Sequence, residues 1–160
     1  GKSAGSPRGE KPLLDAKAAL EAVRARPDTN GRRIVLVGES IGASMALMVA
    51  AEEKVDGVVS IAAFTSTKAV ARDILLFRIF SPLIPERYDA LGALEEVRAP
   101  ILFIHGTKDG VIPFSHTARL FAAARGNKEF FPVEGGMHND LFDVAGIEIV
   151  ERIRAFVAEL

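Results

Sequence analysis

The sequence has 160 residues, contains no cysteine and has only three histidines. The absence of cysteine excludes disulfide bonds, a thiolate nucleophile and a thiolate metal site. The histidines are scattered without the spacing of metal ligands, so no metal site is predicted. The formal net charge is -1 and no basic cluster occurs, so nothing indicates binding to nucleic acid or to an anionic membrane surface. No apolar run approaches the ~20 residues that span a bilayer.

Apolar residues make up 49% of the chain and charged residues 26%, which suits a hydrophobic core with a solvated surface. The length is within the usual range of one domain, so residues 1–160 are interpreted as a single domain. Residues 1–12 are polar and rich in glycine, and no initiator methionine precedes them. They resemble neither a signal peptide nor a strand, and we expect the domain to be part of a longer protein.

Apolar strands and amphipathic helices alternate along the sequence. This alternation, with strands that are apolar throughout, predicts an α/β domain with a mainly parallel sheet and flanking helices. Strands are predicted at 34–37, 57–62, 101–104 and 129–133. Helices are predicted at 13–23, 41–51, 68–80 and 115–125, with Ser115 as the N-cap of the last of these, and a final helix presents Ile149, Ile153, Phe156, Val157 and Leu160 on one face.

The first polar signal is the sequence Gly38-Glu39-Ser40-Ile41-Gly42, where an apolar strand turns directly into a helix. Such a corner is tight and strained, and small residues at 38 and 42 would let the two backbones approach each other. Ser40 would then project at the positive N-terminus of the helix, which favours negative charge on a substrate. The alternative is that Ser40 only caps the helix and the glycines only form a turn.

Two further signals follow later strands. Asp109 comes just after the third strand, and His138 lies in a glycine-rich loop after the fourth. Taken singly, Asp109 could be an ordinary turn residue and His138 a solvated loop residue. Together with Ser40 they are expected to lie close to each other, because the carboxyl ends of parallel strands meet at one edge of the sheet. A hydroxyl needs a base to become a nucleophile, and the base needs an orienting carboxylate.

The other two histidines fit these roles less well. His105 falls at the end of the predicted third strand, where we expect it to pack or to bond to the following turn. His116 falls in the first turn of a helix and is expected to be structural. The sequence therefore predicts a Ser40–His138–Asp109 triad.

The segments GESIG, HGTKDGVIP and EGGMH resemble the three signature regions of the α/β-hydrolases. PERYDALGALEEVRAPILFIHG is similar to the segment before that family's seventh strand, and GKSAGSP to the loop after its fourth. The resemblance covers essentially the whole chain and is greatest to serine esterases, acyl-protein thioesterase-like hydrolases and prolyl-oligopeptidase-like peptidases. It implies a serine hydrolase without a cofactor, with Ser40 as nucleophile, Asp109 as acid and His138 as base. The backbone N–H of Ile41 would be one oxyanion donor.

The chain departs from this family mildly at Gly42-Ala43, where many relatives have Gly-Gly, and more seriously in the number of its strands. The family's sheet has eight strands, and the sequence supplies counterparts of the last four only, without the loop that gives the second oxyanion donor. The strand at 34–37 would then form an exposed apolar edge, and we expect self-association through it. The chain could be a piece of a longer hydrolase, which we favour, a protein completed by a partner chain or a second copy, or a non-catalytic remnant.

The substrate is predicted only as a class: a small acyl ester, or an acyl or peptidyl group on a larger molecule. Two alternatives remain, a non-catalytic interaction module on the same fold and a P-loop protein suggested by Gly1-Lys2-Ser3, which lacks the required upstream strand and glycine. The cellular location stays open, with the cytoplasm as the default. Apolar residues between the second and third strands would line an acyl pocket or cover the sheet; they are Leu75, Leu76, Phe77, Ile79, Phe80, Leu83 and Ile84.

Overall fold

The computed structural model of the protein describes residues 11–74, 79, 81–85 and 87–160. The strands are β1 (Val35–Glu39), β2 (Gly57–Ile61), β3 (Ile101–Gly106) and β4 (Lys128–Val133). The helices are α1 (Lys11–Arg24), α2 (Ile41–Glu52), α3 (Thr67–Asp73), α4 (Ala90–Ala93), α5 (Ser115–Ala123) and α6 (Leu141–Glu159). Short 3₁₀ turns cover Pro27–Thr29 and Ser81–Leu83.

The four strands form one parallel sheet in the order β1-β2-β3-β4. Each strand is joined to the next through helices, as parallel pairing requires. The predicted fold class, a mainly parallel sheet with flanking helices, is therefore confirmed. Because all strands run in one direction, the turns after β1, β3 and β4 emerge at the same edge of the sheet.

Hydrophobic side chains cover both faces of the sheet. One core cluster contains Leu47 of α2 together with Val58 and Phe103 of the sheet. The other contains Val59 and Leu102 with residues of α6. Neighbouring residues of β2 and β3 thus point to opposite faces, which is why these two strands are apolar throughout and fully buried.

Several element bounds differ from the prediction. Strand β3 continues two residues past the predicted end, since His105 and Gly106 still pair with β4. Helix α5 begins at Ser115, but its N-cap is Phe114 and no side chain makes a capping bond there, so the predicted Ser115 cap is wrong. Helix α3 ends at Asp73, and residues 75–78 and 80 of its predicted continuation lie outside the described residues.

The segment with the suggested P-loop, Gly1-Lys2-Ser3, and the opening GKSAGSP also lie outside the described residues. Among the helices that the structure describes, none combines the length and the apolarity that a membrane crossing demands.

Within the described part of the chain, β1 has a neighbour on one side only. The strand is less buried than predicted for a strand covered on both faces, and Val37 is 61% exposed. Its residues alternate in direction: Ile34 accepts a hydrogen bond from the backbone of Asp56, and the Ser40 N–H donates to Ile61. In a parallel pair every second residue bonds to the same neighbour, so the backbone groups of Val35, Val37 and Glu39 face the open edge.

Self-association through this edge stays a prediction, and the sequence of β1 favours one register. An antiparallel pair of β1 strands centred on Leu36 would set Val35 opposite Val37 and Arg33 opposite Glu39 of the second copy. Arg33 and Glu39 are exposed and of opposite charge, so this pairing is complementary at both ends. We expect concentration-dependent dimers in sedimentation velocity experiments, weakened by Val37→Lys because two like charges would enter the new sheet.

A control variant for this prediction is Ile147→Lys, which adds the same charge at a position of α6 that is 76% exposed and far along the chain from β1. The dimer constant of this variant should equal that of the unmodified protein. Dimers that are unaffected by Val37→Lys, or a strictly monomeric protein at all concentrations, would contradict pairing through β1.

Candidate active site

Ser40 occupies the turn between β1 and α2 with φ 55° and ψ −121°. A positive φ is unfavourable for a residue with a side chain, so the backbone is strained at this point. The Ser40 N–H donates to the carbonyl of Ile61, 2.8 Å away, which ties the strained turn to the end of β2. The Ser40 hydroxyl makes no helix-capping hydrogen bond. The alternative in which this serine serves only as a cap is therefore not supported.

Gly38 and Gly42 have different reasons for being glycine. A Cβ built on Gly38 would lie 2.2 Å from the carbonyl oxygen of Gly42, so the end of β1 and the start of α2 approach too closely for any side chain. A Cβ built on Gly42 would meet no described atom within 4 Å. The predicted close approach is thus found at Gly38, whereas packing among the described residues does not require glycine at position 42.

The Asp109 side chain is fully buried, and four hydrogen-bond donors surround its carboxylate. Oδ1 accepts from the backbone N–H groups of Val111 and Ile112, both at 2.8 Å. Oδ2 lies 2.7 Å from His138 Nδ1 and 3.1 Å from His105 Nε2. Burial alone would raise the pKa of this carboxyl, but the hydrogen bonds from the two histidines and the two backbone groups outweigh it and lower the pKa to about 2. Asp109 is therefore an anion at neutral pH.

His138 is buried in the loop after β4, not solvated. This loop is tied to the loop after β3, since the Lys108 N–H donates to the carbonyl of Gly136. The two loops meet at Gly106, where a Cβ would lie 2.3 Å from the Gly136 carbonyl oxygen. The glycine at the end of β3 thus allows the backbone of the histidine loop to cross directly over it.

The structure brings Ser40, His138 and Asp109 into one hydrogen-bonded chain. Because the Asp109 carboxylate can only accept, the Nδ1 of His138 must carry a proton, and the neutral ring is left with an acceptor at Nε2. That nitrogen lies 3.1 Å from Ser40 Oγ. The exposure rises along the chain, from the enclosed Asp109 to a partly exposed Ser40. A substrate could therefore reach the hydroxyl while the contact between His138 and Asp109 stays shielded.

Ile41 is the first residue of α2. Its N–H is therefore one of the first-turn donors that have no carbonyl partner within the helix. The N–H lies next to Ser40 in sequence, at the positive end of the helix. The described residues offer no segment that we can assign as a second donor at this edge.

Residues 6–135 match the sequence profile of the prolyl oligopeptidase family. The chain belongs to this family. The prediction of an α/β-hydrolase is thereby confirmed, including its prolyl-oligopeptidase-like branch. The human alpha/beta hydrolase domain-containing protein 17B is 31% identical over 160 residues, a match that covers 99% of this chain and 53% of that protein.

Solved structures resemble the fold of this family member. An esterase from Pyrococcus furiosus superposes with a TM-score of 0.81 at 20% identity, over 99% of this chain and 66% of the esterase. An alpha-beta serine hydrolase homologue from Coxiella burnetii gives a TM-score of 0.69 at 26% identity, over 94% of this chain and 61% of that homologue. The chain spans about half the length of the curated relatives it matches.

The two remaining histidines are both fully buried. His105 bonds to the turn after β3, as expected, through the carbonyl of Ile112 at 3.0 Å. Its 3.1 Å contact with Asp109 was not predicted, because nothing in the sequence shows that the turn folds back onto the strand. The only available signal was the four-residue spacing between a strand-end histidine and a buried acid.

His116 joins α5 to the segment after β2. Its Nδ1 accepts from the Thr65 N–H at 3.3 Å and lies 3.0 Å from the Thr65 hydroxyl, and its Nε2 lies 3.2 Å from Asp73 Oδ2. Burial is the main cause that lowers the pKa of His116 to about 4, followed by the charge of Arg119 and, further down, that of His105, while Asp73 opposes the shift. His116 is thus a neutral ring that fastens α3 to α5.

The proposed apolar lining is only partly described. Ile79 and Leu83 are each 82% exposed, so they cover no part of the sheet in this structure. Residues 75–78 and 80 lie outside the described residues. Across the ranges that are described, no three His, Asp or Glu side chains converge as metal ligands would.

The two glycines of the Ser40 turn allow a matched test. Gly38→Ala should lower the free energy of unfolding by about 1–3 kcal/mol, because its methyl group would overlap the Gly42 carbonyl. Gly42→Ala should leave it unchanged or raise it by up to about 1 kcal/mol, because alanine favours helix. Urea denaturation followed by circular dichroism measures both values. Equal losses in the two variants would contradict the packing described for this turn.

His116 should make the protein sensitive to acid. Its pKa is about 4 in the folded state against an ordinary 6.5, so between these values the unfolded chain binds the extra proton and stability falls as pH decreases. Protonation of Asp109 lowers the stability only at more acidic pH, between its ordinary pKa of 3.8 and its folded-state pKa of about 2. His116→Gln should therefore lose less stability than the unmodified protein between about pH 7 and about pH 4.5 in urea denaturation. Parallel losses in both proteins would contradict a neutral buried His116.

Proposed function

We propose that this chain holds the reaction centre of a serine hydrolase, which cleaves a carboxylic ester, a thioester or a related acyl bond through an acyl-enzyme. The observation that carries the proposal is the hydrogen-bonded chain from Ser40 through His138 to Asp109. Membership of the prolyl oligopeptidase family and the fold shared with an esterase support it. The Thr117 hydroxyl also contacts a histidine, His105, that bonds to Asp109, but Thr117 is fully buried, whereas Ser40 is partly exposed.

In the first half-reaction, Ser40 Oγ attacks the acyl carbon while its proton moves to His138 Nε2, 3.1 Å away. The imidazolium that forms is stabilised by the anionic Asp109 through the 2.7 Å contact with Nδ1. The bond to the leaving group then breaks, and the proton on Nε2 passes to the departing oxygen, sulfur or nitrogen. This leaves an ester between Ser40 and the acyl group.

In the second half-reaction a water molecule takes the place of the leaving group. It gives a proton to His138 Nε2 as its oxygen bonds to the acyl carbon, and the same proton returns to Ser40 Oγ when the acyl acid departs. The negative charge on the acyl oxygen develops beside the Ile41 N–H at the start of α2 in both halves. Each such donor is worth roughly 10²–10³-fold in turnover.

The exposure of Ser40 and of the residues around it favours substrates that do not need a deep enclosed pocket. A small acyl ester, or an acyl or peptidyl group carried on a larger molecule, fits this description. Ile41 is 48% exposed and Met137, next to His138, is 55% exposed, so apolar side chains are exposed beside both Ser40 and His138. This favours contact with an uncharged acyl chain.

A fluorophosphonate probe tests the proposal directly, because it reacts with an activated serine. Mass spectrometry should find the probe on Ser40, and Ser40→Ala should abolish labelling. Asp109→Asn and His138→Gln should slow labelling and ester hydrolysis by about 10³-fold or more while the circular dichroism spectrum stays unchanged.

The control variant is Ser115→Ala, which removes an exposed hydroxyl at the start of α5 and should label at the normal rate. Labelling that continues unchanged in His138→Gln would contradict the assignment of the base. A folded protein with no labelling at Ser40 would favour the non-catalytic interaction module.

A further inference from the structure

His105 contacts the same carboxylate oxygen of Asp109 as His138 does. Its Nε2 lies 3.0 Å from the carbonyl oxygen of Ile112 and 3.1 Å from Asp109 Oδ2. Both neighbours are acceptors, so this nitrogen must carry a proton that the two oxygens share. His105 is fully buried, so no water competes for that proton.

The other nitrogen of His105 is also fixed. Nδ1 lies 2.6 Å from Thr117 Oγ1 on α5, and the same hydroxyl oxygen lies 3.1 Å from the carbonyl oxygen of Ala63, just after β2. Thr117 is fully buried as well. The imidazole thus has contacts at both nitrogens, with α5 on one side and with the Asp109 turn on the other.

The carboxylate of Asp109 is divided between backbone and side-chain donors. Two backbone N–H groups bind Oδ1, and two imidazoles meet at Oδ2. If one imidazole were removed, one acceptor site of a buried anion would lose its donor, which is costly and would let the carboxylate turn. The charge on Oδ2 would also act on His138 alone.

We infer that His105 is a positioning residue of the reaction centre, which fixes the plane of the Asp109 carboxylate and limits the charge that it presents to His138. This inference rests on the proposed function, since it assigns His105 a role in the same site. His105 acts through Asp109 and does not touch the substrate. Apart from Asp109, the charged or titratable groups that face this network are His138 and, from the first turn of α5, His116.

Two amide substitutions of His105 distinguish the roles of its two ring nitrogens. In His105→Gln the amide nitrogen reaches the position of Nε2 and keeps a donor for Asp109 and Ile112. In His105→Asn the shorter amide reaches only the position of Nδ1, so the contact with Thr117 can persist while the donor to Asp109 is lost. His116→Asn is the matched control, because it removes another fully buried histidine that does not contact Asp109.

The first measurement is the pH dependence of ester hydrolysis, or of Ser40 labelling by the fluorophosphonate probe. In His105→Asn we expect kcat to fall by about 10²-fold with KM within about twofold, because the base is misplaced. The acidic limb of the profile should move to higher pH by about half a unit to one unit, because an undivided Asp109 charge favours protonated His138. His105→Gln should keep the limb in place and restore most of the rate.

A purely structural role would give a different result. The control variant His116→Asn should lower the stability without moving the acidic limb of the pH profile. If the acidic limb of His105→Asn also stayed in place, and its rate fell only in proportion to the unfolded fraction of the protein, the inference would be overturned. Equal profiles in His105→Asn and His105→Gln would overturn it too, since only the second variant has a donor for Oδ2.

A second measurement does not depend on turnover. In protein labelled with ¹⁵N-histidine, the proton between His138 Nδ1 and Asp109 Oδ2 should give a strongly downfield NMR resonance. It should broaden or shift in His105→Asn and persist in His105→Gln. If Ser40 fails to react with the probe but the resonance changes in His105→Asn and persists in His105→Gln, the proposed function is contradicted and the contact assigned to His105 stands. If the resonance is identical in both variants, only the role of His105 is overturned.

Discussion

A buried carboxylate must have its acceptor sites filled, and at Asp109 this requirement organises the carboxyl edge of the sheet. The backbone turns sharply after β3 so that Val111 and Ile112 can donate to Oδ1, and two imidazoles from different elements meet at Oδ2. The low pKa of the carboxyl follows from these donors, which outweigh the effect of burial. The tautomer of His138 follows in turn, because an anion can only accept. The free acceptor that faces Ser40 is therefore a consequence of how Asp109 is enclosed.

The strain at Ser40 is the second part of the same arrangement. A positive φ at a residue with a side chain is held in place by the hydrogen bond to Ile61 and by the close contact between Gly38 and the backbone of Gly42. The hydroxyl is thereby directed away from the helix cap and towards His138. A relaxed backbone at this corner would let the hydroxyl cap α2, which would give the helix N-terminus an acceptor but would move the hydroxyl away from His138.

The sequence was sufficient for the order of strands and helices and for the meeting of Ser40, Asp109 and His138, because parallel strands place the turns that follow them at one edge. It was not sufficient for contacts that depend on how a turn folds back. The approach of His105 to Asp109 has no periodic or compositional signal, since it arises from the path of the backbone between Asp109 and Ile112. At Gly42 the sequence motif predicted close packing that the structure does not show, since the space beside this residue is open within the described residues. The exposure of Val37 depends on what lies beyond the edge of β1, which its apolar neighbours in sequence do not reveal.

Ser40 and His138 are 98 residues apart, and Asp109 and His105 both lie within this interval, while Gly38 comes two residues before it. These side chains therefore lie in one continuous segment of the chain. A gene fusion, a split protein or a recombination event with its junction before β1 would carry their hydrogen-bonded arrangement as one block. The sequence joined upstream could then diverge without any need to rebuild the alignment of these side chains.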